Sequence, residues 1–300
     1  MNTESSFYDQ ATQRNLGLLT EDEQAMLRRS TVAIAGMGAV GGHYLIALAR
    51  LGVGRFVIAD PDIFEVANLH RQAGAFKDTL GKSKVETMAN MAREINPDIE
   101  IQLFPYALDE TNIDAFLVEA DLALDGIDFF QIDARRALHN GAREKGIYSI
   151  TSGPIGYGAS LQVFGPRSMT FDRYFGITDG MTRAERIAAF AAGLIPKLSK
   201  ARAMDSSRID FETEKGPALV SSIMLCAGIV TNEVMRILTR REAPLCVPHA
   251  LFFDPYARSY THVRRPRNRW IDRVVRYFAF RKYPSLVRLH ETEKRALGAA

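Results

Sequence analysis

The chain is 300 residues long, 47% hydrophobic and 24% charged, with a formal net charge of +3. That balance belongs to a soluble globular chain with ample core, one large domain with appendages, and excludes a fibrous or low-complexity protein. Its two cysteines, Cys226 and Cys246, exclude a disulfide framework and suit a reducing compartment, so a cytoplasmic location is expected. No charged-then-apolar leader and no apolar run approaching about 18 residues is visible, so neither secretion nor a membrane span is expected.

In chain order, about ten polar residues come first and are expected to be mobile. Arg14 follows, and then Thr20-Glu21-Asp22-Glu23, a helix start with Thr20 as cap and Glu23 in the capping-box position. The central stretch runs from Ser30 to Lys84. Ser30–Ala35 is an apolar, β-branched strand; Gly36-Met37-Gly38-Ala39-Val40-Gly41-Gly42 is a glycine turn; His43–Leu51 is an amphipathic helix; Arg55–Asp60 is a second strand ending on an acid. In a strand–turn–helix–strand unit Gly36 permits the tight turn, Gly38 lets the backbone approach a phosphate, and Gly41 lets the helix pack on the strand. The helix start offers free N–H groups and its positive dipole end. Asp60 stands where a carboxylate accepts from ribose hydroxyls.

Past Asp60 the polar residues accumulate: Asp60-Pro61-Asp62, Asn68-Leu69-His70-Arg71-Gln72, Gly81-Lys82-Ser83-Lys84-Val85-Glu86, and later Leu124-Asp125-Gly126-Ile127-Asp128. A dinucleotide oxidoreductase has no need of such a set. Cleavage of the α–β bond of ATP does, because charge building on pyrophosphate must be met by cations and Mg²⁺. The connection up to Thr79 shows no clear period, and its length suggests function. Beyond it, helices are expected over Ser83–Ile95, Asp109–Glu119 and Phe130–Lys145, and strands over Ile99–Leu103, Leu122–Leu124 and Ile147–Thr151. Alternating β and α segments with short loops predict an α/β fold, a doubly wound, Rossmann-like, mainly parallel sheet with helices on both faces. Ligands in such sheets sit at the carboxyl ends of the strands, where Gly36, Asp60, Asp125 and Asp128 fall.

The second half reads as β-rich. Gly153–Gly158 is a turn into the strand Ser160–Phe164, and Ala250–Asp254 with Ser259–Val263 is a closing hairpin. Between them Met181–Met204 is mainly helical with a break at Pro196, and Ala218–Leu238 is a strongly apolar helix. Arg264–Lys282 carries eight Arg or Lys and one Asp, a net +7 within the total of +3, so the remainder is −4. Its Trp270, Ile271, Val274, Val275 and Phe278 recur at helical spacing. This basic amphipathic C-terminal helix has two readings: docking on its own domain, or contact with an anionic membrane or tRNA. The division expected is 1–263 for the nucleotide domain, with a crossover region near 165–217, and 264–300 for the basic tail.

The ordered motifs, with Ile95-Asn96-Pro97-Asp98-Ile99 among them, resemble the ThiF/MoeB (HesA) superfamily of adenylating enzymes, related to ubiquitin-activating enzymes. The resemblance covers about residues 14–128, more weakly 216–238. It implies ATP-dependent adenylation of a substrate carboxylate in a homodimer. By resemblance Arg71, Lys84 and Asp128 are the catalytic set. Gly36, Gly38, Gly41, Asp60, Asp62, Asn68 and Gln72 bind nucleotide, and Asp128 holds Mg²⁺ with Asp125 as helper. Arg14 reaches the partner's ATP or is a surface arginine, and residues 181–204 are a lid or a packing helix. The implied carboxylate is the C-terminus of a ubiquitin-like or sulfur-carrier protein or of a peptide, or a tRNA threonylcarbamoyl-adenosine.

The chain departs from the family in having no C-x-x-C pairs, so no zinc is expected, and no cysteine in residues 153–217, so no internal thioester is expected. Cys226 falls in an apolar helix and Cys246 in a loop. Phe129 stands where relatives often carry a polar residue. Two other readings remain: an inactive nucleotide-binding regulator, and an NAD(P)-dependent oxidoreductase.

Overall fold

The structure, a computed structural model, describes residues 6–194, 205–265, 277 and 279–298. It opens with α1 (Phe7–Thr12), closed by a capping box between Ser6 and Asp9. The expectation of a mobile start is corrected from residue 6 onward. Tyr8 is buried, and its hydroxyl donates to the Gly52 carbonyl at 2.7 Å. Then α2 (Glu21–Arg29) begins on the expected Thr20–Glu23 box.

Five parallel strands follow: β1 (Thr31–Ala35), β2 (Arg55–Ala59), β3 (Glu100–Phe104), β4 (Leu122–Asp125) and β5 (Tyr148–Thr151). They lie in the order β3-β2-β1-β4-β5. Gly153–Gly158 is a turn region, as expected: β6 (Pro154–Ile155) pairs back onto β7 (Gly158–Phe164). Beyond β5 the sheet continues antiparallel through β7, β8 (His249–Asp254) and β9 (Ser259–Arg264), completing nine strands. The doubly wound α/β class is the observed one.

The helices between the parallel strands are α3 (Ala39–Leu51), α4 (Lys84–Ile95), α5 (Ile113–Phe116) and α6 (Ile132–Glu144). Helix α5 is far shorter than the expected Asp109–Glu119. Asp109 accepts from the Thr111 amide and hydroxyl, a local turn that competes with helix. Side-chain alternation along the strands divides the core in two. Val32, Ile34, Phe56, Ile58, Leu122 and Leu124 join α3, α4 and α9 (Val220–Leu238) on one face. Ala33, Ala35, Val57, Ala59 and Ala123 meet Ile113, Phe116, Leu138 and Ala142 on the other. Small residues on that second face let α6 lie close to the sheet.

Helix α9 has the length and composition to cross a membrane, which the sequence reading did not anticipate. In the fold, Ile223, Cys226, Val230 and Val234 are buried in the main core, and its Ser222 hydroxyl donates to the Gly156 carbonyl at 2.7 Å.

A third cluster is aromatic. Phe164, α7 (Phe171–Phe175) and α8 (Arg183–Leu194) bring together Phe171, Tyr174, Phe175 and Phe190. The last helix, α10 (Pro284–Gly298), closes this layer. Its Leu286 is fully buried, Glu293 accepts from the Ala184 amide at 3.1 Å, and His290 pairs with the Thr182 hydroxyl at 2.8 Å. The far part of the expected Met181–Met204 helix, beyond residue 194, lies outside the described residues. So does most of the basic stripe of 264–282, Trp270, Ile271, Val274, Val275 and Phe278 included.

Candidate active site

Chain order along the sheet runs from β1 to β2 and β3 on one side and from β4 to β5 on the other, and the crevice at the carboxyl ends of β1 and β4, where it reverses, is where such sheets bind ligands. The glycine turn is locked into it from both sides. Gly36, at φ +89°, donates to the Ala59 carbonyl at 2.6 Å, while the Gly126 amide donates to the Ala35 carbonyl at 2.7 Å. A Cβ on Gly36 would stand 2.3 Å from the Gly126 carbonyl oxygen, and one on Gly41 would stand 1.8 Å from that of Gly36. Both glycines are therefore demanded by packing. Gly38 is different: a Cβ there would meet nothing nearer than the Gln72 amide nitrogen at 3.6 Å. Gly38 caps α3 with no side-chain hydrogen bond, so the first-turn N–H groups of α3 have no capping side chain. This is a cradle suited to a phosphate.

Asp60 sits beside it with 6% of its surface exposed. One carboxylate oxygen accepts from the Met37 amide at 2.7 Å and the other from the Asp62 amide at 2.9 Å. Its first task is thus to brace the glycine turn; each oxygen keeps a further lone pair for a ribose hydroxyl. Burial pushes its pKa up, against the opposing pull of Lys84.

Lys84 opens α4 and is equally buried. Its position follows from backbone pairing: the Lys84 amide donates to the Asp62 carbonyl, the Phe64 amide donates to the Lys82 carbonyl, and Ile63 bridges Ser83. This pairing places the ammonium 2.9 Å from Asp62 and 4.0 Å from Asp60. Asp62 is largely exposed, so Lys84 is a buried cation facing outward through an open carboxylate.

The long connection between them is ordered by two short 3₁₀ turns, Val66–Asn68 and Lys77–Thr79. Asn68 is buried, and its side-chain Oδ1 accepts from the Glu65 amide at 2.9 Å. Arg71 donates to the Ala67 carbonyl at 2.6 Å. Gln72 is buried against Gly38, and its Oε1 lacks a hydrogen-bond partner among the described residues. An orphaned polar atom beside an open cradle fits a site built for a polar ligand.

The β4 end corrects one expectation. Asp125 is not placed to help with a metal. Its side chain is sealed from solvent, one oxygen takes the Arg135 guanidinium at 2.6 Å and lies 3.5 Å from His139, and the other accepts from the Ile127 amide at 3.2 Å. Burial pushes its pKa up, but Arg135, with His139, outweighs this and holds it well below the usual carboxylate range. His139 is itself pushed down by burial, against the pull of Asp125, and its other ring nitrogen meets the Ser149 hydroxyl at 2.8 Å. That serine–histidine–aspartate row is buried throughout and serves as structure. Asp128, by contrast, is exposed, with one oxygen accepting from the Phe130 amide at 3.0 Å. Among the described residues no group of three or more His, Cys, Asp or Glu gathers to hold a metal. Any Mg²⁺ here would rest on Asp128, with phosphates and water supplying the remaining oxygens.

Phe129 packs on Phe130 and on Phe190 of α8, at ring distances of 5.1 and 5.7 Å. Phe129 thus anchors the loop to the aromatic layer. Arg135 is the site-adjacent residue the sequence reading passed over. It shares the core-facing side of α6 with Ile132, Leu138 and His139, and a charge on an apolar stripe is the signal that marks it. Arg14 is exposed, in the 3₁₀ turn Gln13–Asn15. Neither thiol is activated: burial pushes Cys226 up to about 12 and raises Cys246 as well.

The chain is similar to several known proteins. The SAMP-activating enzyme E1 of Haloferax volcanii is 32% identical over 124 residues, 41% of this chain and 45% of that protein. The tRNA threonylcarbamoyladenosine dehydratase of Bacillus subtilis is 39% identical over 103 residues, 34% of this chain and 41% of that protein. The matched segment thus spans less than half of either relative. A solved structure of E. coli MccB with ATP shares the fold at a TM-score of 0.61 and 18% identity, covering 81% of this chain and 65% of that one. The family model described as ThiF family matches residues 11–270; with the locked glycine turn and the buried Lys84 at the strand ends, that match over most of the length means that the chain belongs to the ThiF family.

Proposed function

We propose that the protein is an ATP-dependent adenylyltransferase that transfers AMP to a substrate carboxylate and releases pyrophosphate. The observation that carries this reading is Lys84: a buried ammonium, held by Asp60 and Asp62 beside an open glycine cradle. An oxidoreductase has no use for a cation there. In this reading the cradle of Gly36, Gly38 and Gly41 takes the phosphates, Asp60 the ribose, and Asn68, Gln72 and Asp62 line the approach. As the carboxylate attacks the α-phosphorus, Lys84 and Arg71 meet the charge that moves onto pyrophosphate. Mg²⁺, when bound at Asp128, supplies Lewis-acid neutralisation of the phosphate oxygens. The protein's own contribution is positioning and charge.

The substrate carboxylate is the C-terminus of a ubiquitin-like carrier or peptide, or the threonylcarbamoyl group of a modified tRNA. The names of the two relatives, which refer to SAMP and to tRNA threonylcarbamoyladenosine, support both classes. With both thiols raised by burial, the adenylate passes to an external nucleophile or reacts within its own substrate. The enzyme acts in the cytoplasm as a homodimer, Arg14 of each copy serving the other's nucleotide.

ATP–pyrophosphate exchange tests this, on wild type and Lys84→Ala, with a carrier C-terminal peptide and with total tRNA. Exchange that requires one of these and falls by about 10²-fold or more in the variant is expected. ATP binding without exchange under any condition would instead indicate a nucleotide-binding regulator.

A further inference from the structure

We infer that Arg135 is a positioning residue for Asp128, holding the loop after β4 in its metal-binding shape and tying that shape to helix α8. The inference rests on the adenylation reading above. The guanidinium is buried, and every side of it is used. Its Nε donates to Asp125 at 2.6 Å, Nη2 donates to the Ile127 carbonyl at 2.6 Å, and Nη1 donates to the Asp128 and Phe129 carbonyls, each at 3.3 Å. One side chain therefore gathers three successive carbonyls of the loop that carries Asp128. A planar fork with five donors can do this; a lysine, with one point charge, can hold Asp125 or the carbonyls but not both.

The open face of the same guanidinium lies over the Phe190 ring, 4.3 Å from its centroid. Phe190 belongs to α8, and it also packs on Phe129, the neighbour of Asp128. The loop is thus gripped from its carbonyl side by Arg135 and from its side-chain side by the helix that leads into the crossover. Arg183 of α8 adds a contact to the Phe130 carbonyl at 3.4 Å. A movement of α8 when substrate enters would be felt at Asp128 through these contacts.

Two variants and two measurements test this. Arg135→Lys keeps a cation beside Asp125 and removes the carbonyl fork; Phe190→Leu keeps the whole charge network and removes the ring. The first measurement is binding of the non-cleavable analogue AMPCPP across a Mg²⁺ series, which needs no acyl substrate. The second is hydrogen exchange at the Ile127, Phe130 and Gln131 amides, which needs no ligand. Arg135→Lys is expected to raise the Mg²⁺ concentration at half-effect about tenfold, to leave Mg²⁺-free binding unchanged, and to lose protection at these three amides. Phe190→Leu moves both readouts the same way by less, and in an Asp128→Asn background Arg135→Lys has no further effect on the Mg²⁺ series. A lower Tm with unchanged Mg²⁺ response and unchanged protection would overturn the inference and leave Arg135 a purely structural ion pair. If the wild type itself binds AMPCPP without regard to Mg²⁺, the metal reading of Asp128 fails; exchange at the three amides then decides the loop clamp separately.

Discussion

The three glycines of the turn carry different burdens, and substitution separates them. A methyl on Gly41 would sit inside the Gly36 carbonyl, backbone against backbone, with no side chain able to yield. Gly41→Ala is expected to lose several kcal/mol of stability, about 2–4, and to bind no nucleotide. A methyl on Gly38 meets only the Gln72 amide at an ordinary distance. Gly38→Ala is expected to keep the wild-type unfolding curve and lose ATP affinity about tenfold or more, because the methyl fills the space kept for a phosphate. Unfolding and ATP titration on the two proteins check the contrast, and equal behaviour would show that the cradle is only a packing device. Asp60 supplies a second residue-scale test. Burial raises its pKa, while Lys84 opposes the rise. Replacing Lys84 by Met removes the opposing cation, so the apparent pKa of the Asp60 carboxyl moves further up. ATP binding by that variant is expected to fail at a higher pH on the acid side than in wild type, read from binding titrations between about pH 4 and 7.

At the scale of elements, β4 and α6 are joined through the Asp125–Arg135–His139 row, and the row leaves a signature in stability against pH. Burial depresses the folded pKa of His139 below its ordinary value of 6.5. The unfolded chain therefore binds the proton first as pH falls, and stability declines below about pH 6.5. Asp125, depressed from 3.8, adds its own loss only when pH falls below that value. Urea unfolding from pH 7.5 to 5 is expected to show the His139 slope, and His139→Gln, which keeps a donor for Ser149, is expected to flatten it. Little of this row was legible in the sequence. Strand and helix positions were, because the apolar periods of β1, β2, α4 and α9 are long and their turns carry glycine; boundaries moved by a residue or a few. The glycine turn was legible through its spacing, whereas Lys84 was singled out through the family resemblance of its motif. Asp125 was read as a metal helper because two acids three residues apart look alike in sequence; one ends β4 and is buried against α6, while the other stands in the loop beyond the strand and is exposed. The Asp109 turn displaced a helix for a similarly local reason, a carboxylate bonding its own backbone. Helix α1 was missed because six residues with one buried tyrosine carry too little pattern.

For the whole molecule, the question is whether a residue on the far side of the domain serves a nucleotide in a second copy. Arg14 lies in the turn Gln13–Asn15, and the Asn15 side chain donates to the Leu51 carbonyl at 3.0 Å. Leu51 ends α3, whose first residue adjoins the glycine cradle. Thirteen helical residues separate the two ends, and at about 1.5 Å per residue they span about 20 Å. Arg14 therefore stands a full helix length from the cradle of its own chain, held there by Asn15, Tyr8 and Gln24 at the opposite end of α3. On the homodimer reading this distance is what allows it to project toward a second copy. The half-exposed apolar residues of α9, Leu225 and Ile229, with the exposed Met224, offer such a copy a surface. The test is complementation between two inactive proteins. Arg14→Ala spoils the site of the partner, and Lys84→Ala spoils its own. In a mixed dimer both defects fall on one site and leave the other whole. Mixing the two variants after dissociation is expected to restore about a quarter of wild-type exchange, since about half the dimers are mixed and each keeps one of two sites. If Arg14 acts within its own chain, each protomer of the mixture carries one defect, and no activity returns at any mixing ratio. Recovery without mixing, in Arg14→Ala alone, would remove Arg14 from the site entirely and return it to the surface.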